Sequence, residues 1–232
     1  MKKIFGFSLV ALATVYFLCF VFLACFDPPT TSSSPTTTTT VAYETVDLYN
    51  FKNYYSYQEG KYQCGFISSH MWLKWLTGSP SYPSLDNFIS WMNNNGYGNL
   101  VINSPASVRD IREITNKSIT NFVNSYSRIT VGSYTSSYIE GYLKQIRKSI
   151  SNYYQPLIFF CSRFNGYYNQ KHAFIVCGYS RNRNYPNDEY KINRVIISNG
   201  ENKNEYYRRV NKDEFASWYL DAYICDERVV KN

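Results

Sequence analysis

The stretch whose reading decides the fold is Gln58-Glu59-Gly60-Lys61-Tyr62-Gln63-Cys64-Gly65-Phe66-Ile67-Ser68-Ser69-His70-Met71-Trp72-Leu73-Lys74-Trp75-Leu76. From Met71 to Leu76 every residue except Lys74 is apolar, while Gly60 and Gly65 interrupt the chain upstream. The pattern predicts a loop that feeds a largely buried helix beginning near Cys64. Such a start puts a thiol at the amino end of a helix. There, unpaired backbone N–H groups and the positive end of the dipole favour the thiolate, the nucleophilic form of cysteine. Gln58, six residues earlier, carries an amide that can donate to the oxyanion formed when the sulfur attacks a carbonyl. Taken alone, the same residues also describe an ordinary buried cysteine, so the rest of the chain has to supply the partners.

Only two histidines occur, His70 and His172. His70 follows Cys64 by six positions, about 600° round a helix and so about 120° off its face, which removes it as a partner for the sulfur. His172 opens the apolar run Ala173-Phe-Ile-Val-Cys-Gly178, read as a strand. An imidazole at that strand end can reach a helix start on a facing lobe and act as general base and acid. Asn199 closes the run Val195-Ile-Ile-Ser198, and its side-chain oxygen can fix the tautomer and orientation of the ring. Asp188 and Asn202 are further candidates for that third position.

Other segments supply the framework. Leu85, Phe88, Ile89 and Met92 recur at helical spacing within 84–94, and Val108, Ile111 and Ile114 do so within 106–115. With the helix at Cys64 these make one helical lobe. Ser137-Tyr-Ile-Glu140 has the spacing of a capping box, and Ile139, Leu143, Ile146 and Ile150 predict a helix reaching about Tyr153. Strands are expected over 156–161, 173–178 and 194–198, with 41–57 as an extended lead-in. The fold class is therefore α+β, and no internal repeat is present.

Gln six residues before a Cys-Gly at a helix start, His-Ala opening a strand that ends in Gly-Tyr, and Asn-Gly after another strand together resemble the papain-like cysteine peptidases. The resemblance spans roughly residues 50–215 and is nearest the bacterial branches typified by streptopain and by the bacteriocin-leader peptidases. It implies a two-lobed fold, with a helical lobe whose central helix starts at the nucleophile and an antiparallel β lobe. It also implies Cys64 as nucleophile, His172 as base, Asn199 as orienter, Gln58 as oxyanion donor, and a polypeptide substrate. Three features depart from the pattern. Phe66 stands where a small residue or proline is common, no Trp follows Asn199, and a polar insertion at 181–193 helps to separate His172 from Asn199 by 27 residues.

Met1-Lys2-Lys3 and the apolar run from Ile4 to Phe26 have the charged start and hydrophobic centre of a secretory leader. The run is also long enough to span a bilayer as an uncleaved anchor. Phe22-Leu23-Ala24-Cys25 resembles the lipobox of bacterial lipoproteins, which implies lipidation at Cys25. Residues 27–40 offer no apolar side chain to a core beyond their proline rings, as expected of a disordered tether. The expected organisation is a lipoprotein-type leader at 1–25, a Thr/Ser/Pro-rich tether at 26–43 and a peptidase domain at 44–232. The location implied is extracytoplasmic, at a bacterial surface or in the periplasm, with the membrane engaged through a lipid anchor.

Composition narrows the alternatives. At 232 residues and 44% apolar content the chain can bury a core. Its formal charge of +7 falls by two to +5 without Lys2 and Lys3. The remaining basic residues are scattered, which argues against nucleic acid as a partner. Without Cys-x-x-Cys or paired histidines no metal site is expected, nor is a cofactor. Cys161, Cys177 and Cys225 are either buried thiols or include an oxidised pair, with Cys161 and Cys177 the conceivable couple. Two other functions fit the same pattern, a thiol hydrolase of cell-wall peptides and a surface binding protein or adhesin on a degenerate peptidase scaffold.

Overall fold

A computed structural model of the chain describes residues 41–57, 63–99, 106–123, 129–166, 171–200 and 202–231. The segment expected to be a leader, that expected to be a tether as far as residue 40, and Cys25 and Gln58 lie outside the described residues. Nine successive buried residues, His172 to Ser180, begin the strand β4 (His172–Asn182) around which the sheet is built. A strand buried on both faces needs a layer of packing on each side.

Two strands share one edge of β4. β3 (Leu157–Cys161) runs antiparallel to its first half, from Leu157 opposite Val176 to Cys161 opposite His172. β1 (Tyr43–Asp47) pairs with its second half, from Asp47 opposite Gly178 to Tyr43 opposite Asn182. The other edge takes β5 (Ile192–Ser198). Outside these, β7 (Leu220–Asp226) lies beside β3, β2 (Val131–Tyr134) beside β7, and β6 (Arg208–Asn211) beside β5. All the pairings are antiparallel.

The helix expected at Cys64 is α1 (Cys64–Thr77), and the ten residues from Gly65 to Lys74 are all buried. A helix apolar around its circumference has to sit inside the molecule, and α1 packs on both β4 and α3 (Val108–Phe122). Gly65 makes that approach possible, since a Cβ there would stand 2.6 Å from Ile111 Cδ1. Gly78, at φ 66°, ends α1 in the left-handed conformation that glycine tolerates. α2 (Leu85–Asn94) starts at Ser84, whose hydroxyl accepts from Asn87 N, and buries Phe88 and Met92.

α3 runs past the expected end at Thr115. Its polar residues Thr115 and Ser118 are buried, with hydroxyls donating back to Ile111 O and Thr115 O, so they do not break the helix. Its capping box is Ser107 with Asp110. The one expected at Ser137 and Glu140 does not form. α4 (Ile139–Arg147) has Tyr138 at its cap with no side-chain bond. Ser136 Oγ instead bonds the backbone N and O of Tyr138. Beyond Arg147 the chain widens into a π-turn, Lys148–Tyr153. Two short helices, α5 (Lys212–Ser217) and α6 (Glu227–Lys231), complete the described elements used below. One contiguous core joins helices and sheet, so the expected α+β class holds.

Candidate active site

β4 begins on His172, which is 5% exposed. Its Nε2 lies 2.9 Å from Oδ1 of Asn199, the residue that follows β5. The amide of Asn199 has a second partner, because its Nδ2 donates to Glu205 Oε2 at 2.8 Å. An ionised carboxylate only accepts, so that bond places the NH2 group on Glu205 and turns the carbonyl oxygen to the ring. The imidazole N–H towards Asn199 is then the one on Nε2, which leaves Nδ1 as the nitrogen that exchanges protons elsewhere. The turn is closed by its own backbone, with Asn199 N donating to Glu205 O (2.9 Å) and Glu205 N to Asn202 O (2.8 Å). Phe164, just beyond β3, packs on the imidazole at 4.1 Å between ring centroids, and Trp218 packs on Phe164 at 4.8 Å.

Cys64 is the first residue of α1 and is partly buried. Three observations bring this helix tip to the strand end. Gly200, next to Asn199, sits so close to the first turn of α1 that a Cβ on it would be 2.0 Å from Ile67 Cγ2. Ser198 Oγ donates to Met71 Sδ one turn further along. Cys161, opposite His172 in the β3–β4 register, lies within electrostatic reach of Cys64. Burial pushes the Cys161 thiol up to about 12, and Asp221 and Cys64 add to the rise.

The segment ahead of α1 is tied to the same place. Lys74 Nζ donates to Tyr55 O (3.1 Å) and Ser56 Oγ (3.4 Å), and burial lowers its pKa. The Tyr55 hydroxyl lies 3.1 Å from Asn199 O and 2.5 Å from Asn202 O, both of them acceptors. A partly buried thiol at the tip of a helix, packed on the turn whose amide holds an imidazole, is an arrangement suited to acyl transfer. The model of the Peptidase_C39 like family matches residues 43–223 of the chain. The chain belongs to that family.

The match places this C39-like chain in the papain-like superfamily and points to a cysteine-type peptidase, for which a polypeptide is the substrate. No curated protein matches the chain. Within the C39-like chain the other candidates are positioned differently. Asp188 lies at the far end of the β4–β5 hairpin, where its carboxylate accepts from Tyr190 N. Asn202 shares the turn with Asn199, but its Oδ1 accepts from Asn204 N. His70 is buried in the helical layer, 2.8 Å from Pro83 O and stacked on Phe88.

Cys161, Cys177 and Cys225 are buried thiols. Cys161 stands opposite His172, five positions from Cys177 along β4. That is roughly 16 Å at strand spacing, too far for a bridge. Among the described residues no group of three or more His, Cys, Asp or Glu side chains could hold a metal ion.

Sequence reading missed Glu205, Phe164 and Trp218. Glu205 follows Asn199 by six positions in a polar loop, a spacing that points to a partner only once the turn is seen to close. Phe164 reaches the ring and Trp218 backs Phe164 from a separate element, and no linear signal joins them.

Proposed function

We propose that the chain is an exported, lipid-anchored cysteine peptidase that hydrolyses peptide bonds through a thioester. Cys64 is the nucleophile, His172 the general base and acid, Asn199 the group that orients the ring, and Gln58 the oxyanion donor. The single observation that carries this reading is the 2.9 Å contact of His172 Nε2 with Asn199 Oδ1 at the strand end packed on the tip of α1.

The chemistry follows from those roles. His172 takes the Cys64 proton on Nδ1, and the thiolate attacks the scissile carbonyl, whose π electrons move to oxygen. Backbone N–H at the helix tip and the Gln58 amide stabilise that oxyanion. As the C–N bond breaks, the imidazolium gives its proton to the departing amine and a thioester remains. Water then attacks the thioester, losing a proton to His172. The sulfur leaves as thiolate and the carboxylic acid product is released. Throughout, the Asn199 oxygen accepts from Nε2–H, which keeps the ring in the tautomer that the cycle needs.

The test uses labelled casein. The wild type releases soluble peptides, while Cys64→Ala and His172→Ala reduce release to background. Hydrolysis that survives Cys64→Ala refutes the proposal. Anchoring at Cys25 is read separately, by incorporation of labelled palmitate in cells. Label is expected on the wild type and absent from Cys25→Ala, and equal labelling of both contradicts a lipid at that residue.

A further inference from the structure

We infer that Glu205 is a positioning residue for the proposed site, acting through Asn199 to fix the tautomer of His172 and to supply a negative charge that stabilises its imidazolium, with Arg208 opposing that charge. The inference rests on the cysteine-peptidase reading. Its geometry is a relay, in which His172 Nε2 meets Asn199 Oδ1 at 2.9 Å and Asn199 Nδ2 meets Glu205 Oε2 at 2.8 Å. The other Glu205 oxygen accepts from Arg208 Nη1 at 3.0 Å. Arg208 in turn reaches Glu214 Oε1 at 2.6 Å and Asn165 Oδ1 at 2.9 Å, and lies over the Trp218 ring.

An amide can present either end to a histidine, and its two ends select opposite tautomers. With a carboxylate behind it, Asn199 has one orientation that satisfies both neighbours. The carboxylate also sits one amide away from the ring, in a turn where Asn199 is 4% exposed. A full charge at that distance acts on the imidazolium with little solvent between them. Arg208 tempers the effect, since its guanidinium is shared between Glu205 and Glu214.

The other groups that face this relay come from several elements. Cys64 stands at the tip of α1, Cys161 on β3 with Asp221 of β7 beyond it, and Tyr55 faces Glu205 from the segment before α1. Burial holds the Cys161 thiol up at about 12. The Tyr55 hydroxyl is raised to about 12 by burial and then by Tyr57 and Glu205. Both therefore stay neutral through the range in which an imidazole titrates. Asp221, Glu214 and Lys171, the last next to His172 in the chain, remain charged neighbours in every variant below, so a change at Glu205 or Arg208 reads the charge of the relay itself.

With only two histidines in the chain, the titration of His172 can be followed directly by the NMR signals of its ring nitrogens and carbons. Glu205→Gln should move that titration down by about half a pH unit or more, and Arg208→Met should move it up. A clasp that merely closes the turn gives no such opposition of sign. An unmoved titration in Glu205→Gln, or shifts of the same sign in both variants, overturns the inference. Arg208→Met gives an independent answer if Glu205→Gln fails to fold, because no upward shift in it is equally fatal. A third variant, Cys64→Ala, separates the two readings. If it leaves the His172 titration where it was, the thiolate–imidazolium pair and the peptidase reading fail, whereas the Glu205 and Arg208 shifts decide the inference on their own.

Discussion

His70 sits in the helical layer with its Nε2 on Pro83 O and its Nδ1 buried without a partner among the described residues. Burial lowers its pKa from 6.5 to about 4. An unfolded chain therefore takes up a proton between pH 6.5 and about 4 that the folded chain refuses. The contribution of this group is fully present above pH 6.5 and is lost as pH falls through that window. A gap of about 2.5 pH units, at about 1.4 kcal/mol each, sets an upper bound of roughly 3.5 kcal/mol. His70→Asn, which keeps an N–H for Pro83, should flatten the dependence of the urea midpoint on pH between 6.5 and 4. A slope equal to that of the wild type contradicts this account. Tyr55 makes a second test at the same scale. Tyr55→Phe removes the hydroxyl that serves Asn199 O and Asn202 O, and should cost about 1 kcal/mol of stability. If that clasp positions Asn199, casein hydrolysis should fall about tenfold as well, and unchanged hydrolysis shows that it does not.

The contact between the Asn199–Gly200 turn and α1 belongs to the scale of elements. Gly200→Ala would drive a Cβ to within 2.0 Å of Ile67 Cγ2 and 3.0 Å of Ser56 O. The expected result is a loss of about 1–3 kcal/mol from overpacking, with activity falling more than stability because the turn also carries the histidine's partner. Wild-type activity in this variant would mean that turn and helix are free to separate. Elements with a continuous apolar run or a capping residue were legible in the chain alone. α1 begins at Cys64, α2 follows its Ser84 cap, and β3, β4 and β5 fall on their apolar runs. Illegible were β2, β6 and β7, which are short or interleave polar residues and are fixed by long-range pairing. For the site, strand ends and a helix start identified Cys64, His172 and Asn199 as candidates. Glu205 and Phe164 depend on how a loop folds back, which local pattern does not encode. Gln58 lies outside the described residues.

At the scale of the whole molecule, helices and sheet share one core, and a long strand buried on both faces carries the histidine at its end. Cys161, Cys177 and Cys225 lie within that core as thiols at 0–1% exposure. The fold owes nothing to disulfides among them, so a reducing agent should leave Tm unchanged, and a large drop would reveal a bridge. Their burial also makes selective chemistry at Cys64 possible, since burial pushes all three thiols well above the ordinary thiol range. The most direct test is therefore the rate of iodoacetamide alkylation near neutral pH, with the modified residue located by peptide mass. Among the four cysteines of the described residues, fast modification confined to Cys64, slowed at least tenfold in His172→Ala, is the expected result. Labelling of Cys64 at the same rate with and without His172 would contradict the pairing on which the account rests.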